Sequence, residues 1–232
     1  KVFECIKLRN CGFSSQDIVK LINSSSFSEY LTAMNTHGDQ IRKTVNYEQA
    51  LLSVLQKMAS VEPLFYSENN WEVRQRGGFY FFPYSVQDHM LEDLESSALL
   101  TDWLPWMPVV KNCIQYYVSA PQKGCYKPDM TQLPTLGLSA PEAFVQSQGL
   151  LHHAPAEYLP PCRCLIMYLR SKRLGRRAQN EAERRCNPTN AMANLVAEHS
   201  FTITGNCFSH TLAILDEPDG CYTYSVMGVP IA

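Results

Sequence analysis

The stretch TLAILDEPDGCYTYSV, residues 211–226, has the pattern of a β-hairpin. Its two arms, residues 211–215 and 221–226, are rich in the β-branched and aromatic residues that favour strands. Between the arms lies the segment Asp216-Glu217-Pro218-Asp219-Gly220, whose proline and glycine are typical of a tight connection. The sequence therefore predicts that the chain ends in an antiparallel hairpin.

Capping residues and apolar periods predict further elements upstream of this hairpin. The segment Ser14-Ser15-Gln16-Asp17 has capping-box spacing, so a short helix is predicted from about Ser15, and a second one after Ser26. Other helices are predicted over residues 46–59, 85–100, 139–149, 176–185 and 191–198, and strands over 71–74, 79–82, 109–118, 164–169 and 201–204. The strands 71–74 and 79–82 are expected to form a second hairpin. These elements predict an α+β fold, a single mixed domain with a small central sheet, several short helices and the C-terminal β-hairpin.

Length and composition are those of a folded unit. The 232 residues are 45% hydrophobic and 18% charged, which is too apolar for a disordered chain and sufficient for one substantial core. We expect a single α+β domain over residues 1–232, or a division into a helix-rich part, 1–120, and a Cys/His-containing part, 139–232. No apolar run approaches the roughly 18 residues of a membrane span, so a soluble protein is expected. Because the sequence opens with Lys1 and not with methionine, we expect a piece of a larger protein.

Cysteine and histidine residues cluster in the last third of the sequence. Cys162 and Cys164 form one close pair, and Cys207 and His210 form another. Two such pairs from separate elements are a usual way to build a tetrahedral zinc site, so we predict a structural zinc held by these four residues. The same thiols also fit two other interpretations, small buried hydrophobic side chains and disulfide bonds. The nine cysteines leave the redox compartment open, with an intracellular location favoured.

A second hypothesis pairs His210 with Cys11. His210 directly precedes the first arm of the C-terminal hairpin, and Cys11 lies just before the helix predicted from Ser15. This layout resembles the histidine box of papain-like cysteine peptidases and deubiquitinases. The resemblance implies a Cys–His hydrolase with Cys11 as the nucleophile and His210 as the general base. The polar residue that orients the histidine in that family has no obvious counterpart on the return strand, residues 221–224.

Residues 163–185 form a basic block. They contain eight basic and two acidic residues, a local charge of +6 in a chain whose net charge is −2. Lys172, Arg173, Arg176 and Arg177 would share one face of a helix, which could bind nucleic-acid phosphates or an acidic protein partner. The block contains no aromatic platform and no known nucleic-acid motif, so a solvated basic surface is the simpler explanation. A protein partner is therefore favoured over nucleic acid.

The motifs of several enzyme classes are absent from the sequence. No P-loop, dinucleotide-binding, zincin, lipase-type or EF-hand pattern is present, and enzymatic activity stays an open question. The favoured interpretation is an interaction or regulatory domain of a larger protein, stabilised by a structural zinc and carrying the basic surface 163–185. The alternatives are a papain-like Cys–His hydrolase and a nucleic-acid-binding domain.

Overall fold

The chain divides into two compact units, Lys1–Gln49 and Ala50–Ala232. A computed structural model describes residues 2–23, 26–86, 89–91, 93–118, 124, 126, 133–173 and 188–232. Within these ranges no helix combines the length and the apolar character that crossing a membrane requires.

The first unit is helical. Helix α1 spans Val2–Asn10 and helix α2 spans Ser15–Ile22. Ser14 caps α2, because its Oγ accepts a hydrogen bond from the backbone N–H of Asp17 at 3.2 Å. The helix predicted from about Ser15 is therefore confirmed, and α1 and α2 pack around a small core of Leu8, Ile18 and Leu21.

Helix α3 spans Phe27–Val61 and belongs to both units. It begins after Ser26, whose Oγ accepts a hydrogen bond from the backbone N–H of Glu29 at 3.2 Å. The helices predicted after Ser26 and over residues 46–59 are two parts of this one helix of 35 residues. Nothing between them ends the helix, because the intervening sequence has no proline and Gly38 is tolerated. A 3-10 helix, Glu62–Tyr66, follows α3.

An antiparallel sheet forms the centre of the second unit. Its strands within the described residues are β1 (Trp71–Arg76), β2 (Phe79–Val86), β3 (His89–Met90), β4 (Lys111–Tyr116), β5 (Thr135–Pro141), β6 (Glu157–Leu159), β7 (Cys162–Lys172), β8 (Cys207–Glu217) and β9 (Gly220–Pro230). They lie in the order β1-β7-β9-β8-β4-β5-β2-β3, and β6 pairs with β2. The predicted α+β fold and the C-terminal hairpin, β8–β9, are confirmed, although the sheet is larger than predicted. The domain assignments, a single domain over residues 1–232 or a division into 1–120 and 139–232, stay predictions.

Three further helices accompany the sheet: α4 (Leu94–Trp103), α5 (Glu142–Gln148) and α6 (Pro188–Glu198). The prediction over residues 85–100 placed the start of α4 too early, since Ser85 lies in β2. The actual cap is Asp93, whose carboxylate accepts a hydrogen bond from the backbone N–H of Ser96 at 2.8 Å. Helix α5 ends at Gly149, which has a φ of 68°, the left-handed angle that a helix C-terminus favours in glycine.

Two strand predictions need correction. The hairpin predicted between residues 71–74 and 79–82 is wrong, because β1 pairs with β7 while β2 pairs with β5 and β6. Long-range pairing takes precedence over the short loop at Gly77-Gly78. The strand predicted over residues 201–204 is reduced to an isolated bridge between Ile203 and Ile231. The helix predicted over residues 176–185 lies outside the described residues.

The two faces of strands β7, β8 and β9 have different coverings. On one face, which we call the closed face, Leu165, Met167, Met227 and Val229 pack with Cys207 and with Met192 and Val196 of α6. On the opposite face, which we call the open face, Cys164, Ile166 and Tyr168 pack against Val61, Leu64 and Phe65. The alternation of side chains along each strand separates the two sets. The candidate site lies on the open face.

Candidate functional site

The register of the paired strands places the side chains of the candidate site on one face of the sheet. Residues that lie directly opposite each other in an antiparallel sheet point to the same side. Arg74 lies opposite Cys164, and Val226 lies opposite both Tyr168 and His210. The open face is therefore lined, strand by strand, by Glu72, Arg74, Arg76, Cys164, Ile166, Tyr168, Val226, Gly228, Phe208, His210, Lys111 and Ser139.

A cavity of about 770 Å³ lies over this face, and all of its lining residues belong to Ala50–Ala232. Its second wall comes from the end of α3 and the 3-10 helix that follows, through Val54, Lys57, Met58, Val61 and Leu64. Gly228 adds no side chain to the cavity wall, and a Cβ at this position would lie 2.9 Å from Cδ1 of Ile166. The result is a concave, largely apolar space between a helix end and a sheet.

Positive charge dominates the polar part of the cavity lining. Lys57, Arg74, Arg76 and Lys111 are cationic, whereas Glu72 is the one carboxylate among the described lining residues. The Glu72 carboxylate already has two partners. Arg74 Nη1 lies 3.3 Å from its Oε1, and the Tyr168 hydroxyl donates to the same oxygen at 2.7 Å. Burial, assisted by this hydrogen bond, raises the pKa of Tyr168 to about 12, so the hydroxyl keeps its proton at neutral pH.

Lys111 is a half-buried cation that has no counterion among the described residues. Within the described part of the chain no carboxylate oxygen lies within 4.0 Å of its ammonium. Burial lowers the pKa of Lys111, and the positive charges of Lys57 and Arg74 lower it further. The charges of Lys57 and Arg74 therefore destabilise the ammonium form of Lys111.

His210 and Arg76 both line the cavity, and each has a buried polar atom without a described partner. Nδ1 of His210 and Nε of Arg76 are both buried and have no hydrogen-bond partner among the residues described. Burial, reinforced by the charge of Lys111, lowers the pKa of His210 to about 3. His210 is therefore neutral at physiological pH. The guanidinium of Arg76 is anchored, since Nη2 donates to the carbonyl of Pro160 at 3.1 Å and the group lies 4.4 Å from the Phe79 ring centre.

The four residues predicted to bind zinc are divided between the two faces of the sheet. The sulfur atoms of Cys162 and Cys164 lie 3.5 Å apart, and Cys164 lines the cavity together with His210. Cys207, by contrast, packs into the closed face. In the part of the chain that the structure describes, no group of three or more His, Cys, Asp or Glu side chains is arranged to hold a metal ion. Zinc binding stays a prediction.

The predicted nucleophile and base belong to different units. Cys11 lies in the turn after α1, where its carbonyl accepts a hydrogen bond from Nε2 of His37 at 2.8 Å. His210 lies inside β8 and not before the strand, so it faces the cavity and not the lip of the hairpin. The Cys11–His210 hydrolase stays a prediction.

Half of the predicted basic surface is described. Lys172 ends β7 and reaches the hairpin turn, where its Nζ donates to the carbonyl of Asp219 and lies 3.8 Å from that residue's carboxylate. The backbone N–H of Arg173 donates to the carbonyl of Cys221 at 2.7 Å. Arg176 and Arg177 lie outside the described residues, and binding through this surface stays a prediction.

Sequence reasoning missed the cationic lining. Arg74 and Arg76 alternate with Glu72 in the segment Trp71-Glu72-Val73-Arg74-Gln75-Arg76, a period of two that places all three charges on one side of a strand. Lys111 opens strand β4, whose sequence is Lys-Asn-Cys-Ile-Gln-Tyr. These local signals were present, but the convergence of β1 and β4 on one cavity depends on strand pairing, which the local pattern does not specify.

Comparison with known proteins yields weak structural similarities. No protein family and no curated protein matches the sequence. Similar solved structures include the cryo-EM structure of an EcmrR–DNA complex in EcmrR-RPo, with 10% identity, coverage of 99% of this chain and 81% of that chain, and a TM-score of 0.36. They also include the EcmrR C-terminal domain, with 12% identity, coverage of 70% and 96%, and a TM-score of 0.37. A third is an uncharacterized conserved protein from Listeria innocua, with 11% identity, coverage of 74% and 97%, and a TM-score of 0.36. Similarities at this level carry no weight in the proposals below.

Proposed function

We propose that the chain is a regulatory domain that binds a small organic molecule in the cavity of the open face. The observation that carries the proposal is the cavity itself. Its volume of about 770 Å³ falls within the roughly 300–1,000 Å³ that is usual for small-molecule sites. Its lining also has the usual composition of such sites, with apolar walls and a few polar groups that converge on the same space.

The chemistry of the cavity favours binding over thiol catalysis. Cys164 is the cysteine among the lining residues, and burial raises its pKa to about 12. Because the thiolate and not the thiol is the reactive form, Cys164 is a poor nucleophile at neutral pH. His210 is held neutral and lies beside cations, and no carboxylate orients it among the described contacts. These residues are suited to contacting a ligand.

A regulatory role follows from the position of α3. Val54, Lys57, Met58 and Val61 line the cavity from the last turns of this helix, and the same helix continues into the first unit. A ligand in the cavity would therefore contact an element that both units share. If the ligand bound more tightly to one position of the helix end than to another, it would increase the population of the first position.

The test is to fill the cavity and to measure binding of an apolar reporter. Val226 lines the cavity, so V226F is expected to place a ring where the ligand would bind. Titration with N-phenyl-1-naphthylamine, a neutral dye that fluoresces in apolar sites, should show saturable binding to the wild type. Affinity should fall at least about tenfold in V226F, about 1.4 kcal/mol.

The matched control is I214F. Ile214 lies on β8 of the same hairpin, is 50% exposed and does not line the cavity. I214F should bind the dye like the wild type, and circular dichroism should show that both variants fold. Equal affinity of the wild type, V226F and I214F for the dye would mean that the cavity is not the binding site.

A further inference from the structure

The cavity has an uneven charge distribution that selects among ligands. Four cationic side chains line it, Lys57, Arg74, Arg76 and Lys111, against the single described carboxylate of Glu72. That carboxylate is already engaged by Arg74 and by the Tyr168 hydroxyl. It therefore compensates one of the four cations at most, and a surplus of positive charge faces the cavity.

The four cations line the same cavity as His210. The charges of Lys111 and Arg76 lower the pKa of His210, and the charges of Lys57 and Arg74 lower the pKa of Lys111. The four cations come from three elements, α3, β1 and β4. The lining also includes apolar residues such as Met58, Val61, Leu64, Ile166, Phe208 and Val226.

Like charges in a partly buried site destabilise one another unless an opposite charge joins them. A cationic ligand would increase this cost, and a neutral ligand would remove water from the cations without replacing it. An anion would be attracted by the whole group. Arginine presents a planar fork of N–H donors that matches the two oxygens of an anionic group such as a carboxylate.

We propose that the ligand is an organic anion, with an apolar body against α3 and the sheet and an anionic head among Lys111, Arg74 and Arg76. This inference rests on the proposed function of the cavity as a ligand site.

Two dyes with the same aromatic body test the inference. The first, 8-anilinonaphthalene-1-sulfonate, carries a negative charge, and the second, N-phenyl-1-naphthylamine, is the same body without the sulfonate. We expect the anionic dye to bind about tenfold more tightly, a difference of about 1.4 kcal/mol. K111M should reduce that preference, measured as the ratio of the affinities for the two dyes in the same variant.

K172M is the control for a general loss of positive charge. Lys172 is also a lysine of the sheet, but it pairs with Asp219 at the hairpin turn and does not line the cavity. K172M should keep the preference for the anionic dye. Competition with 4-phenylbutyrate and 4-phenylbutylamine adds a test with non-dye ligands, in which the carboxylate should displace the bound anionic dye at the lower concentration.

The outcomes separate the two proposals. If both dyes bind with equal affinity, or the amine displaces better than the carboxylate, the anion inference is overturned while the cavity remains a ligand site. The anion inference is also overturned if K172M loses the preference to the same extent as K111M. If V226F leaves the binding of both dyes unchanged, the proposed function itself is overturned.

Discussion

The two faces of strand β7 differ less in sequence than in what covers them. Leu165 and Met167 on the closed face are 0% and 3% exposed, and Cys164 and Ile166 on the open face are 0% and 5% exposed. The closed face is sealed by α6 with apolar side chains, whereas the open face continues into a cavity with cations at its edge. The same strand therefore serves a core on one side and a candidate site on the other.

This difference separates stability from binding. A sealed apolar face lowers the free energy of the folded state through close packing, and any loss of volume there is costly. A face beside a cavity has already lost part of that packing. Its side chains can be changed with less effect on folding and more effect on what the cavity accepts. The variants below test this separation.

The largest expected effect compares one substitution on the two faces. L165A removes a fully buried side chain from the closed face and should lower the free energy of unfolding by about 2–5 kcal/mol. L64A removes the same side-chain atoms from the cavity wall, where Leu64 is half-buried, and should lower the free energy of unfolding by about 1 kcal/mol. Urea denaturation of both variants at one pH measures the difference.

Binding of the neutral dye should follow the reverse order. L64A should weaken it, whereas L165A, under conditions where the variant is folded, should bind like the wild type. If L64A destabilises the protein as much as L165A does, the open face is packed as tightly as the closed one, and the separation of stability from binding fails.

The sequence predicted the elements of the closed face better than the site on the open face. The strand over 164–169 and the helix over 191–198 followed from local apolar patterns, and their contact buries the expected residues. The hairpin β8–β9 followed from its turn sequence. These features depend on neighbours close in the chain or on simple burial, which propensity and periodicity record.

The site could not be assembled in the same way. The sequence predicts Cys164 as a zinc ligand and His210 as a zinc ligand or a general base, because it does not specify their neighbours in space. Lys111, Arg76 and His210 line one cavity only because β1 pairs with β7 and β4 pairs with β8, across many intervening residues. A local pattern can place Arg76 on a strand face, but it does not determine which strand lies next to it.

The second prediction concerns the pH dependence that the open face imposes on stability. The pKa of His210 is lowered from 6.5 to about 3 in the folded protein, with the cations Lys111 of β4 and Arg76 of β1 facing the ring. Between these two values the unfolded chain binds more protons, so the free energy of unfolding rises with pH over this window. The slope from this histidine should reach about 1 kcal/mol per pH unit.

H210F should have a shallower slope between pH 6.5 and pH 4 than the wild type, measured by urea denaturation at several pH values. H153F is the control, because His153 is exposed and hydrogen-bonds only to the neighbouring carbonyl of Ala154 among the described contacts. It should keep the wild-type slope. An H210F slope equal to that of the wild type would mean that water reaches the histidine freely, and the open face would then be more hydrated than its packing indicates.

The smallest expected effect concerns a cation of the same sheet that does have a counterion. Nη2 of Arg170 lies 2.5 Å from Oε2 of Glu217, and the guanidinium lies 3.5 Å from the Tyr222 ring centre. The Tyr224 hydroxyl also donates to Glu217. The hydrogen bonds of Arg170 and Tyr224 lower the pKa of Glu217 below its ordinary 4.5. The stabilisation is therefore present above pH 4.5 and is lost as the pH falls through the lowered value.

E217Q should lower stability slightly at pH 7, because ion pairs that solvent can reach contribute little, and the difference from the wild type should vanish in strong acid. Its preference for the anionic dye should equal that of the wild type, since neither Arg170 nor Glu217 lines the cavity. This separates E217Q from K111M, which removes a cation without a carboxylate partner in the part of the chain that the structure describes. E217Q could instead strengthen binding of the anionic dye as strongly as K111M weakens it. The preference would then come from the overall charge of the sheet and not from the cations that line the cavity.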